Sequence, residues 1–177
     1  MRHFKSLFIA ALLSVLSGCA TFNVAKDYAL DNKPASGLLV TSFTHTTQSM
    51  VLAYRSKDGK TGTVMTGNIQ DPLDWTGPNG RLVVIELASG DYEFVEWRSQ
   101  SGNMLYTSKP FSIPFSVSSG KATYIGNIHV AMVEFTGLYK VGVVDKKDRD
   151  LPLLHSKYPK LRATDVVTSI STATTTK

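Results

Sequence analysis

Few side chains in this sequence could do chemistry, and their spacing rarely brings them together. His45, His129 and His155 lie 84 and 26 residues apart. Zinc sites in short chains draw their ligands in close pairs, and no thiolate stands near any of the three, so no metal site is assigned. Gly59-Lys60-Thr61 has the ending of a phosphate loop, but such a loop needs a glycine five positions before its Gly-Lys pair. Tyr54 stands there, so the segment reads as a turn. A Gly-x-Ser-x-Gly elbow is missing, and the serines fall in turns and tails. Fourteen carboxylates remain, of which Glu86, Glu93, Glu96 and Glu134 lie in strand patterns. Strand faces alternate, so Tyr92, Phe94, Glu96 and Arg98 are expected on one face, with Glu93, Val95 and Trp97 on the other. A carboxylate beside Arg98 then reads as a cross-strand ion pair. No residue is given a catalytic, cofactor-binding or metal-binding role.

Two residues are candidates for a binding surface instead, Trp75 and Arg98. Trp75 closes the stretch Gln70-Asp71-Pro72-Leu73-Asp74-Trp75. Tryptophan in a Pro/Gly-rich loop supplies large contact area at small entropic cost, or it folds back over the end of the core. The mixed-sign run Asp145-Lys146-Lys147-Asp148-Arg149-Asp150, with Lys157, Lys160 and Arg162, suits a solvated turn or a contact with anionic lipid or glycan.

Cys19 is the only cysteine, so it has no disulfide partner. Arg2, His3 and Lys5 precede an apolar stretch over residues 7–16, followed by Ser17, Gly18 and Cys19. A basic head, a short apolar run and a small-residue boundary describe a secretory signal peptide over residues 1–18, and the run is too short to span a bilayer comfortably. Leu16-Ser17-Gly18-Cys19 resembles the lipobox of bacterial lipoproteins. That resemblance implies a diacylglycerol on the Cys19 sulfur, cleavage before it and acylation of the new amine. The membrane is then the first partner, held through two or more acyl chains where one would be marginal. Ala20, in place of Asp, implies by the same resemblance an outer-membrane lipoprotein facing the periplasm, with the inner membrane or cell surface as alternatives.

The formal charge of +5 includes Arg2 and Lys5, and loses both with the signal peptide. The remainder is too mild for a nucleic-acid footprint, which needs a dense basic stripe, so no nucleic-acid partner is expected. With no disulfide framework, stability must come from one packed core.

Residues 19–36 read as a lipidated N-terminus and flexible tether, residues 37–162 as the folded domain, and residues 163–177 as a disordered Thr/Ser-rich tail. Asp58-Gly59 between β-prone runs marks a hairpin. The almost continuously apolar Arg81–Leu87 suits a central strand. Pro110 and Pro114 cannot donate to a ladder, which makes residues 111–117 an edge strand or one that switches sheets. Only residues 148–157 look helical, with Asp148 or Asp150 as cap, Leu151, Leu153 and Leu154 as the apolar side, and Pro159 as the stop. This helix should cover an open end or edge. The expected fold is mainly β: an antiparallel, Greek-key-type β-sandwich of about seven to nine strands with one short C-terminal helix.

Leu87-Ala88-Ser89-Gly90-Asp91-Tyr92 and Phe115-Ser116-Val117-Ser118-Ser119-Gly120-Lys121-Ala122-Thr123-Tyr124-Ile125-Gly126 resemble the turn-and-aromatic rhythm of carboxypeptidase-regulatory-like, or transthyretin-like, sandwich domains, including those of small bacterial lipoproteins. The resemblance spans roughly residues 82–144. It implies that Tyr92 and Tyr124 sit at sheet ends and that the domain binds or scaffolds without catalysis. The sequence thus suggests a non-enzymatic, lipid-anchored envelope protein that binds another envelope protein or a cell-wall polymer such as peptidoglycan. A glycan-active hydrolase with dispersed carboxylates and a carrier of a small ligand inside the sandwich are the alternatives.

Overall fold

The computed structural model describes residues 20–30, 33–47, 49–65, 73–133 and 138–175. Nine strands of four or more residues carry the fold among them: β2 (Ser36–His45), β3 (Ser49–Ser56), β4 (Thr61–Met65), β5 (Asn79–Ala88), β6 (Gly90–Ser101), β7 (Met104–Thr107), β8 (Phe111–Val117), β9 (Ala122–Val133) and β10 (Leu138–Val144). Three shorter ones, β1 (Ala20–Thr21), β11 (Val166–Thr168) and β12 (Thr174–Thr175), add to edges, and helix α1 spans Lys147–Lys157. One sheet runs β1-β4-β3-β6-β8-β12, with β7 also on β6; the other runs β10-β9-β2-β5, with β11 also on β9. The fold is a β-sandwich with one short helix near the C-terminus. Its sheets are mixed, because β2 and β9 pair in parallel, as do β1 with β4 and β11 with β9.

The hairpin forms where Asp58-Gly59 requires it. Gly59 takes a φ of +87°, a left-handed conformation that glycine adopts without a Cβ penalty, and the Ser56 hydroxyl reaches the Asp58 carboxylate. Between the sheets, Phe43, Leu52, Phe94, Trp97, Ile113 and Ile125 are almost fully buried. Each such side chain contributes about 1.5–3 kcal/mol by leaving water.

A second apolar layer lies on the far face of the five-stranded sheet. There Leu154, Tyr158 and Leu161 bury against Leu38, Val40, Leu82, Val84 and Tyr124. The helix therefore covers a sheet face, where an end or edge was expected. Being covered on both sides explains why every residue of β2 except Ser36 is buried. It also corrects the reading of Arg81–Leu87: β5 is apolar because both its faces are covered, yet it is the last strand of its sheet. Neither Asp148 nor Asp150 caps α1; Asp145 Oδ1 accepts the Lys147 N–H at 2.9 Å. Tyr124 faces the helix and not a sheet end, whereas Tyr92 does lie near the end of the sandwich, stacked 5.4 Å from Phe115.

Two expectations about the ends of the chain are overturned. Residues 20–30 are built into the fold and are not a free tether: Ala20 and Thr21 pair with Thr63 and Val64. Asn23 donates to Leu82 O at 2.9 Å and accepts from Val84 N at 2.9 Å, while Val24 N donates to Val84 O at 2.8 Å. Leu30 is buried under the helix layer. Residues 163–175 likewise do not form a disordered tail. β11 lies on β9, Ser169 N donates to Tyr124 O at 2.8 Å, Ser171 N to Ile125 O at 3.1 Å, and β12 pairs with β8. The physical reason is shared. A sandwich has two open sides whose edge strands carry unpaired backbone groups, and the termini satisfy them. Pro110, just before β8, and Pro114 within it fit this position, since beyond β8 lies only the two-residue β12.

Candidate functional site

Cys19, Gln70, Asp71, Pro72 and Glu134 lie outside the described residues. Trp75 and Arg98 are both described, and the fold puts them on opposite outer layers, so they do not form one surface. Trp75 is half-buried beside the helix layer. Its backbone exchanges hydrogen bonds with Gly80, at 3.3 Å for Trp75 N to Gly80 O and 3.2 Å for Gly80 N to Trp75 O. The Arg149 guanidinium stacks 3.9 Å above its ring, an attractive cation–π geometry. Trp75 covers the second core, as one of its two sequence readings allowed.

Arg149 leads to a buried polar cluster that sequence reasoning missed. Asp150 is fully buried, and its Oδ2 accepts from Ser42 Oγ at 2.5 Å and from the Tyr124 hydroxyl at 2.7 Å. Arg149 donates through Nε to Asp150 Oδ1 at 2.8 Å and through Nη2 to Ser42 Oγ at 2.9 Å. Asn127 Nδ2 also donates to Ser42 at 2.8 Å, and Thr44 donates to Asn127 Oδ1 at 3.1 Å. With the Thr44 proton committed there, His129 Nδ1, 2.8 Å away, is the donor to Thr44. Burial, then the bond to Asp150, pushes the Tyr124 hydroxyl far above its ordinary range. Every group in this chain has a partner, which suits fastening the helix to the sheet rather than turnover. The mixed-sign run is largely absorbed in the same way: Lys157 pairs with Asp74, and Arg162 with Asp165 at 2.9 Å.

Two adjoining depressions, of about 820 and 520 Å³, meet at the hairpin end and share Ser56, Lys57, Asp91 and Tyr92. Asp91 and Glu93 both face the larger one. Asp91 accepts from Ser116 Oγ at 2.6 Å, and Glu93 accepts from Arg55 at 2.6 Å and Ser112 at 2.7 Å. Arg55 and then Ser112 hold the Glu93 carboxyl below the usual carboxylate range, opposite to the raised value that a general acid needs. His45 and His129 line a third depression, of about 500 Å³, with Thr46, Gly77, Pro78 and Asn79. Burial keeps the His45 ring below the ordinary histidine range. Among the described residues no group of three His, Cys, Asp or Glu is placed to hold a metal ion.

Arg98 lies on the outer face of the seven-stranded sheet, which nothing among the described residues covers. A bulge brings it there: Ala53 pairs with Glu96 and Tyr54 with Phe94, so Val95 is an extra residue in β6. This corrects strict alternation. Trp97 is buried with Phe94, while Glu96 and Arg98 both face out and pair at 2.6 Å. Strand register aligns Met65, Val51, Arg98 and Thr107 across the face, with Ser49, Gln100 and Leu105 in the next row. Toward the hairpin the same face is polar, with Arg55, Glu93, Ser112 and Ser116. At the other end it is mixed: Leu105 is 81% exposed and Met65 40%, and the Arg98 side chain is 68% exposed.

No known protein family, no curated protein and no solved structure matches the chain.

Proposed function

We propose that this protein is a non-enzymatic, lipid-anchored envelope protein that binds another envelope protein through the outer face of its seven-stranded sheet around Arg98. The lipobox motivates the anchor. One observation carries the choice of face: the strongly exposed Leu105 and the exposed Met65 flank an exposed Arg98 on a sheet face that no other described residue covers. Large apolar side chains gathered in water mark interaction sites, and arginine is enriched at protein interfaces. A cell-wall polymer is the weaker partner, since the polar groups of the hairpin-end depressions are largely spent on one another. The hydrolase reading is weakened by the ion-paired, low-pKa Glu93. The carrier reading is weakened by the rings that fill the space between the sheets.

Photo-crosslinking in cells tests the proposal. Probes replacing Arg98 and Leu105 should each trap the same envelope protein, and a probe at Trp75 should trap none. Crosslinks from Trp75 alone, or peptidoglycan fragments at Arg98, would sink it.

A further inference from the structure

The way the chain enters the fold fixes which side of the domain meets the membrane. Ala20 and Thr21 are hydrogen-bonded to the outer edge of β4, and Asn23 and Val24 to the outer edge of β5. Between these two pinned pairs stands Phe22, 66% exposed. With both neighbours held, a local rearrangement cannot bring the ring into the core, so its exposure is built into the fold. Phe22 is three residues beyond Cys19, which places their Cα atoms within about 10 Å of each other even for fully extended chain. The polar layer of a bilayer leaflet is roughly 5–8 Å thick, so a ring this close to an acylated cysteine is within reach of the acyl-chain boundary.

We infer that the domain sits directly on the bilayer with its β1–β4 edge down and the Phe22 ring in the interfacial layer. This inference rests on the acylation of Cys19. The β3–β4 hairpin belongs to the same lower side, since β4 leads back to it from the anchored pair. Its Lys60 side chain is 83% exposed and pairs with the exposed Asp58 at 3.1 Å, a surface ion pair weak enough for a phosphate headgroup to compete with. Leu105 lies on β7, which pairs with β6 and is three strands beyond β4, and stays in water. The proposed partner face therefore rises from Met65 beside the membrane edge to Arg98 and Leu105 clear of it. The aromatic ring and a lysine make a two-part contact that an acyl anchor alone does not need: the ring fixes rotation about the anchor, which lipid chains leave free.

The test uses the full-length lipidated protein in vesicles of phosphatidylethanolamine and phosphatidylglycerol. Cys19 is the only cysteine, so once it is acylated, Phe22→Cys, Lys60→Cys and Leu105→Cys each present a single thiol for a nitroxide label. Accessibility to oxygen against a water-soluble nickel chelate reports depth. The label at 22 should favour oxygen, that at 60 should be intermediate, and that at 105 should match a water-exposed label. Phe22→Ser should leave the thermal midpoint within about 2 °C of the parent, as expected for a surface substitution. Equal nickel accessibility at 22 and 105, on protein whose intact mass shows the lipid, overturns the seating and leaves the anchor standing. A marked loss of stability in Phe22→Ser also overturns it, by making the ring a core residue. A mass without lipid overturns the anchor first and the seating with it.

Discussion

Asp150 is where most of the buried polarity converges. Its carboxylate accepts from Ser42, Tyr124 and Arg149, and Asp150→Ala leaves all three donors facing an empty acceptor site. Removing one partner of a buried charge pair costs about 3–5 kcal/mol. The low end applies here, because the Arg149 side chain is one-third exposed and can recover water. A loss of about 3 kcal/mol corresponds to a fall in Tm of roughly 6–12 °C for a chain of this size. Tyr124→Phe removes the bond to Asp150 and the longer one accepted from Lys146 N at 3.3 Å, and should cost about 1–2 kcal/mol. Thermal unfolding followed by circular dichroism decides the matter; equal effects from the two variants would mean that Asp150 is not the hub. The pH dependence is set elsewhere. Burial lowers the His45 pKa in the folded state, so below about pH 6.5 the unfolded chain takes up a proton that the folded one refuses. Stability from His45 is complete above that pH and is lost as pH falls toward the lowered folded value. Glu86, Glu93 and Asp165, held low chiefly by Ser36, Arg55 and Arg162 respectively, add a second loss that begins only below about pH 4.5. Urea midpoints from pH 8 to about 2 should therefore decline in two steps. His45→Gln should abolish the upper step and leave the lower one.

At the scale of elements, the strands were legible and their faces were not. Alternation places Glu93 with Trp97 on one face of β6, and Val95 breaks it. The second bulge has the same effect in β9, where Val40 pairs with Tyr124 and Ser42 with Asn127, so that Ile125 and Ile128 both point into the core. This irregularity, eased by Gly126 at a φ of +101°, sets Asn127 beside Ser42 and lets the Asp150 cluster close. Nothing in the apolar pattern marks a bulge, because it is defined by the partner strand. The same holds for β5, whose apolar run is as consistent with a covered edge as with a central position. Turns were legible because their chemistry is local, as Asp58-Gly59 illustrates. The β6 bulge makes an unusual deletion testable. Removing Val95 joins Phe94 to Glu96 in regular alternation and keeps both halves of β6 in register with β3. It should cost less than about 2 kcal/mol, within the ordinary range for a single change. Removing Glu93 instead makes Tyr92 and Phe94 adjacent and drives one of them out of the core, which should cost more than about 3 kcal/mol by the loss of a buried aromatic. Denaturant midpoints that rank the two deletions in the opposite order would refute the register.

For the molecule as a whole, the termini close what the sheets leave open. Composition made both segments look like free chain, because neither can form a core by itself; each is ordered by edges formed elsewhere in the sequence. The N-terminal segment joins β4 to β5, and the C-terminal one joins β9 to β8, so each crosses from one sheet to the other. Two straps on opposite sides resist the sheets sliding apart, a role that a disulfide could fill and that one cysteine cannot. A chain ending at Asp165 tests this. It gives up the pairing of β11 and β12, the two backbone bonds from Ser169 and Ser171, and the 2.7 Å bond from Ser171 Oγ to Pro114 O. At about 0.5–1.5 kcal/mol per hydrogen bond, the loss should reach about 3 kcal/mol or more. The shortened protein should still fold, since both apolar layers survive apart from the partly buried residues of the strap itself. Hydrogen exchange should quicken along β8 and the first half of β9 while β2 and β5 keep their protection. The bare β8 edge should also favour self-association through strand pairing, seen as a concentration-dependent shift in sedimentation velocity. Unchanged exchange in β8 and β9, with an unchanged urea midpoint, would show that the C-terminal segment merely rests on the sandwich and does not hold it.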